Sequence, residues 1–254
     1  MKILLFILFF ISCIDAENIK LDSIFKKYNI DGTIIISSLD GKKEYIYNEQ
    51  RSKKRFCPAS TFKILNTLIS LQEKAVQDEK EIIKWDKKDK HFDSWNKDHS
   101  IQTAFPVSCV WFYQELAKRI GIKKYQNYLN KLNYGNKQIG KELTSFWLDE
   151  ELKISAKEQI EFLKKVYQNQ LSFEKKHMNV LKKIMIIQEN EKHIIHVKTG
   201  WASKSHIGWY VGYMETKDDV LFFATNIDMK ELKEAKYRKI ITMQALKKVA
   251  PKSF

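Results

Sequence analysis

The chain has 254 residues, 44% of them hydrophobic and 13% aromatic, enough to bury a sizeable core. The net charge of +14 comes from lysines scattered along the whole length, often near Asp or Glu. There is no arginine-rich arm, zinc-ligand spacing or recognition-helix pattern, so nucleic acid is excluded as the expected partner, and the basic field suits an anionic small molecule instead.

Met1-Lys2 followed by Ile3 to Ile11 has the layout of a secretory leader and is too short to span a bilayer comfortably. Cleavage after Ala16 divides the chain into a leader, 1–16, and one mature domain, 17–254, with no stable membrane insertion and with no linker or repeat inside it. The competing reading is a lipoprotein signal acylated at Cys13, in Ile11-Ser12-Cys13.

Thr33 to Ser38 and Glu44 to Asn48, joined through Asp40-Gly41, predict a hairpin. Next comes Pro58-Ala59-Ser60-Thr61-Phe62-Lys63, where an apolar helix begins and continues through Ile64 to Ile69. Ser60 and Lys63 share one face of it. A buried lysine loses its charge more readily, and an uncharged amine within reach of a hydroxyl can activate a nucleophile. The same spacing recurs at Ser23/Lys26, Ser94/Lys97 and Ser172/Lys175 without the proline or the apolar run. The alternative for Ser60/Lys63 is a capping serine beside a snorkelling lysine.

Ser108-Cys109-Val110 opens a helix carrying Trp111, Phe112, Leu116 and Ile120, and Ser108 reads either as an outward hydroxyl or as an N-cap. Tyr134-Gly135-Asn136 predicts a turn, and Ser155 with Glu158 a capping box before Ile160, Leu163, Val166 and Tyr167. His193–Thr199, Gly208–Met214 and Val220–Asn226 predict three strands, with Lys198 and Gly200 on one face of the first, and Glu231–Val249 a closing helix. The architecture expected is α+β: an antiparallel sheet flanked by terminal helices, with a helical region over about 65–190 inserted between its two parts and a cleft where the regions meet. Cys57 and Cys109 read as two buried thiols, with a disulfide as the alternative. No Cys/His cluster has metal-ligand spacing.

Serine-x-x-lysine at Ser60, serine-x-valine at Ser108, tyrosine-glycine-asparagine at Tyr134 and lysine-threonine-glycine at Lys198, in that order, resemble the class D (oxacillinase-type) serine β-lactamases. The penicillin-recognising serine enzymes at large share the first and last motifs. The resemblance extends to Trp95–Ser100, Ser145–Leu148, Gly208–Gly212 and Tyr237–Lys239, and so covers nearly all of the mature chain. Leu65 stands where the family commonly has proline, and Trp201 where it has phenylalanine or tyrosine.

The resemblance implies the β-lactamase/transpeptidase-like fold and hydrolysis of penicillins and oxacillin through an acyl-enzyme on Ser60. It implies no metal or other cofactor beyond carbon dioxide or bicarbonate, which carboxylates Lys63 into the general base. Trp147 would donate its indole N–H to that carbamate, with Val110 and Leu148 covering it. Backbone N–H groups of Ser60 and Trp201 would form the oxyanion hole. Ser108 would relay a proton to the lactam nitrogen, with Lys198 setting the field. Thr199, Gly200 and Arg238 would receive the substrate and its carboxylate. Loops around Trp95, Phe105 and Trp201–Ile207 would set the spectrum, and residues 17–254 would act in the periplasm. The alternatives are a non-hydrolytic β-lactam sensor and a penicillin-binding protein; oligomeric state is not legible.

Overall fold

The computed structural model describes residues 21–254, so the expected leader and Cys13 lie outside the described residues. After α1 (Asp22–Tyr28) come β1 (Gly32–Ser38) and β2 (Glu44–Tyr47). Seven helices follow: α2 (Glu49–Lys53), α3 (Lys63–Gln72), α4 (Ile101–Ala104), α5 (Val110–Ile120), α6 (Ile122–Lys131), α7 (Ala156–Tyr167) and α8 (Lys175–Ile184). The chain then returns to strands β3 (Ile186–Glu189), β4 (His193–Ala202), β5 (Ile207–Thr216) and β6 (Val220–Asp228) and ends in α9 (Ala235–Val249).

The strands form one antiparallel sheet in the order β2-β1-β6-β5-β4-β3. β1 pairs with β6 from Gly32↔Ile227 to Ser38↔Leu221, which joins the two ends of the chain into one layer and leaves the helices between them as an insertion. This is the α+β arrangement expected. Strand parity separates two cores. Ile34, Ile36, Val197, Tyr210 and Phe223 meet α1 and α9, while Ile35, Trp209, Val211, Tyr213 and Phe222 meet the inserted helices. β1, β5 and β6 are buried on both faces along most of their length, with apolar runs at Ile34–Ile36, Trp209–Val211 and Val220–Ala224.

The expected hairpin is β1–β2, with Gly41 at φ 74. Both halves of the Ser155/Glu158 capping box form at the start of α7. The closing helix begins later than expected, because Leu232–Glu234 forms a 3-10 turn before α9. β3 had no sequence signal. It pairs with β4 only as far as His196, so Lys198–Ala202 have a strand neighbour on one side alone. Across that open edge lies the Ala59–Phe62 turn. A Cβ on Gly200 would stand 2.9 Å from Pro58 O and 3.1 Å from Thr61 Cγ2, so the glycine lets β4 and the turn touch.

Candidate active site

Ser60 lies in a 3-10 turn, Ala59–Phe62, and the α-helix starts only at Lys63, the last residue of the segment expected to open it. Ala59 takes φ 47, a left-handed conformation unusual for a residue with a side chain. The turn is held by Thr61 Oγ1 donating to Pro58 O at 2.7 Å and by Gln159 Nε2 donating to Thr61 Oγ1 at 2.8 Å. It aims Ser60 Oγ at Lys63 Nζ, 2.9 Å away.

Lys63 is wholly buried, and its amine stands 5.1 Å from the Tyr113 ring centroid. Burial pushes its pKa from 10.5 to about 7, against a small opposing effect of Cys109. At neutral pH a large share of this amine is therefore uncharged. Lys26, Lys97 and Lys175, the lysines of the other three serine-x-x-lysine copies, are exposed.

Trp147 is fully buried and stacks at 5.7 Å on Phe62, the residue preceding Lys63. Its Nε1 has no hydrogen-bond partner among the described residues. Leaving such a donor unmet costs about 1–3 kcal/mol, so the site is suited to an acceptor that the described residues do not provide. Val110 and Leu148 line the adjoining pocket.

Ser108 takes φ 55, and Cys109, not Ser108, occupies the N-cap position of α5. The capping alternative for Ser108 therefore falls. Its Oγ instead accepts a short hydrogen bond from Lys198 Nζ of β4. Lys198 is buried and its pKa is lowered by burial, by Lys63 and by Arg238. Ser60 and Ser108, each hydrogen-bonded to a buried amine, Lys63 and Lys198, thus line one cavity of about 260 Å³.

Thr199, Gly200, Trp201 and Arg238 also line that cavity. Arg238 reaches over from α9, its Nη1 donating to Gly200 O at 2.6 Å and its Nε to Ala235 O at 3.0 Å. Burial lowers its pKa to about 10, so it remains charged at neutral pH. Phe92, Trp95, Pro106 and Val107 complete the wall, with Trp95 Nε1 donating to Val107 O at 2.9 Å. Phe92, Pro106 and Val107 carried no signal in the sequence, since they sit in irregular segments without periodicity.

Comparison with known proteins agrees with this geometry. Residues 30–249 match the penicillin binding protein transpeptidase domain family. The probable β-lactamase YbxI of Bacillus subtilis (strain 168) is 37% identical over 92% of this chain and 86% of its own length. β-Lactamase OXA-48 of Klebsiella pneumoniae is 37% identical over 91% of this chain and 88% of its own. Among solved structures, the class D β-lactamase FUS-1 (OXA-85) of Fusobacterium nucleatum subsp. polymorphum superposes with a TM-score of 0.87 at 38% identity, covering 91% of this chain and 97% of that one. The chain belongs to the class D β-lactamases.

In this class D chain the tyrosine-glycine-asparagine turn does not enter the pocket with the other motifs. Asn136 donates through Nδ2 to Glu151 O at 2.7 Å and accepts from Lys153 N at 2.9 Å, which braces the segment behind Trp147 and Leu148. Gly135 has φ 53, and a Cβ there would lie 2.1 Å from Lys153 O. Tyr134 packs on Phe62 at 5.8 Å, so the turn supports the nucleophile from behind. Cys57 and Cys109 are free, buried thiols, each pushed up to about 11 by burial, and the disulfide alternative falls. Cys57 Sγ donates to Trp147 O at 3.1 Å. Among the described residues no group of three His, Cys, Asp or Glu could hold a metal ion, and no helix is long and apolar enough to cross a membrane.

Proposed function

We propose that this chain hydrolyses β-lactam antibiotics of the penicillin and oxacillin type through an acyl-enzyme on Ser60, with Lys63, carboxylated by carbon dioxide, as general base for acylation and deacylation. The observation that carries this reading is the buried Lys63 amine, 2.9 Å from Ser60 Oγ and depressed to about 7. An uncharged amine is the form that attacks carbon dioxide, and the unmet indole N–H of Trp147 is available to hold the product. Carboxylation supplies an anionic base where a lysine alone would supply an amine.

Ser60 Oγ gives its proton to the Lys63 side chain and bonds to the lactam carbonyl carbon. Backbone N–H groups of Ser60 and Trp201 stabilise the oxyanion, a contribution of about 3 kcal/mol for each donor in comparable sites. The lactam C–N bond breaks as the proton held at Lys63 passes through Ser108 to the nitrogen, with Lys198 holding Ser108 in line. Water then attacks the ester. Its proton goes to the Lys63 side chain and on to Ser60 Oγ as the C–O bond breaks.

Arg238 and the Thr199 hydroxyl receive the substrate carboxylate, the guanidinium keeping donors beyond those given to Gly200 O and Ala235 O. The net charge of +14 favours the approach of such anions. The hydrophobic run Ile3–Ile11 and Ala16 support export of 17–254 to the periplasm by a cleaved leader. Mass spectrometry during reaction with benzylpenicillin tests the activity. Many turnovers with a transient adduct on Ser60 are expected, and one permanent stoichiometric adduct would make the protein a sensor.

A further inference from the structure

Gly208 sits in the middle of the apparatus that holds Arg238, yet it plays no chemical part. It is a buried residue of β5, directly opposite Trp201 of β4. Its φ lies outside the left-handed region, so its backbone is an ordinary strand conformation open to any residue. Glycine inside a strand weakens it, and alanine would normally be the better choice at such a position. The reason for glycine is therefore space.

A Cβ at 208 would stand 2.9 Å from Arg238 Cδ, 3.0 Å from Met229 Sδ and 3.2 Å from Ile227 Cγ1. The arginine stem cannot swing aside freely, because its head is tied to Gly200 O at 2.6 Å and to Ala235 O at 3.0 Å. Met229 and Ile227 are fully buried, which leaves little room on the other side.

We propose that Gly208 is a positioning residue for Arg238: the absent side chain is the notch through which the arginine stem crosses β5 from α9 to reach the Gly200 carbonyl and, beyond it, the substrate carboxylate. This rests on the reading of Arg238 as the group that receives that carboxylate. The notch acts on the Arg238 stem, on the face of the sheet packed by α9, while Ser60 and Lys63 sit among Ala59, Phe62 and Ile64 of the core on the other face. A glycine kept only for packing would change stability alone.

Gly208→Ala, assayed with benzylpenicillin and with its methyl ester, which lacks the carboxylate, tests the proposal. The expected result is a KM for the free acid raised about tenfold, the loss of one charge-assisted hydrogen bond, with kcat within about twofold. The ester should show no difference between parent and variant. On an Arg238→Ala background Gly208→Ala should add nothing. An unchanged KM for the acid, an equal rise for the ester, or an undiminished effect without Arg238 would overturn the proposal.

Should Gly208→Ala reduce the folded fraction, adding Met229→Ala opens space on the other side of the notch, and the same acid-to-ester ratio is read there. Failure of the proposed activity is separable: it appears as a parent that turns over neither compound. Equilibrium binding of the acid and the ester to Ser60→Ala, with and without Gly208→Ala, then reads the notch without turnover, and equal affinities for the acid would overturn it.

Discussion

Lys63 Nζ lies 2.9 Å from Ser60 Oγ in a position closed to solvent, so burial both poises the amine and brings it to the hydroxyl. Ser60→Ala should abolish the covalent adduct with benzylpenicillin in intact-mass spectra and lower kcat/KM by about 10⁴-fold or more, with an unchanged circular dichroism spectrum. Prior treatment of the parent with a chelator should leave its rate as it was.

The depressed Lys63 has a defined linkage. Folded, it titrates at about 7; unfolded, near 10.5. Between those values the unfolded chain binds a proton that the folded chain lacks, so this group makes stability rise with pH through the window, and its penalty is greatest below about pH 7. Lys63→Met should therefore raise Tm at pH 6 and flatten the dependence of Tm between pH 7 and 10, measured by thermal melts. Lys198, lowered in the same direction, leaves a residual slope of the same sign.

Activity should follow the same titration. Below about pH 7 the protonated Lys63 cannot combine with carbon dioxide, so kcat should fall and added bicarbonate should restore it. Carbon-13 NMR with labelled bicarbonate should show a carbamate signal in the parent and none in Lys63→Ala. A parent without that signal at neutral pH, and with a rate indifferent to bicarbonate, would make Lys63 a free-amine base.

Trp147→Phe retains most of the packing on Phe62 but removes the unmatched N–H. It should lower kcat about tenfold by slowing deacylation, and bicarbonate should recover part of the loss. Trp147→Ala should in addition destabilise the fold by about 3–5 kcal/mol, seen in urea unfolding.

Gly200→Ala would press a methyl group against Pro58 O and Thr61 Cγ2, separating β4 from the nucleophile turn. A shift of this kind should reduce the acylation rate by about 100-fold while the folded fraction stays high, read by stopped-flow with a chromogenic cephalosporin. Retention of full acylation would show that the turn and the strand move independently.

Cys57 and Cys109 should resist a thiol reagent at neutral pH, since both are buried with thiols held near 11, and should react only after denaturation. Reducing agent should leave Tm unchanged.

Much of this protein was legible from residue order. The hairpin showed in Thr33 to Asn48, α7 in its capping box, and the three long strands in their apolar runs, because each depends on neighbours close in sequence. Ser60, Lys63, Ser108 and Lys198 stood out as spaced motifs, and the resemblance they carry told which side chains to expect together. Tertiary structure decided what depends on distance and burial. Lys63 at 2.9 Å from Ser60 is set apart from three exposed look-alikes by the core around it. The tyrosine-glycine-asparagine turn, read as part of the constellation, lies behind Phe62, because contacts to Glu151 and Lys153 far along the chain place it there. β3 and the Phe92 and Val107 walls have no local periodicity, and the notch at Gly208 exists only because α9 lays an arginine across a strand thirty positions earlier. Local order encodes the elements through short-range propensity; the site is made where segments distant in sequence exclude water from one another.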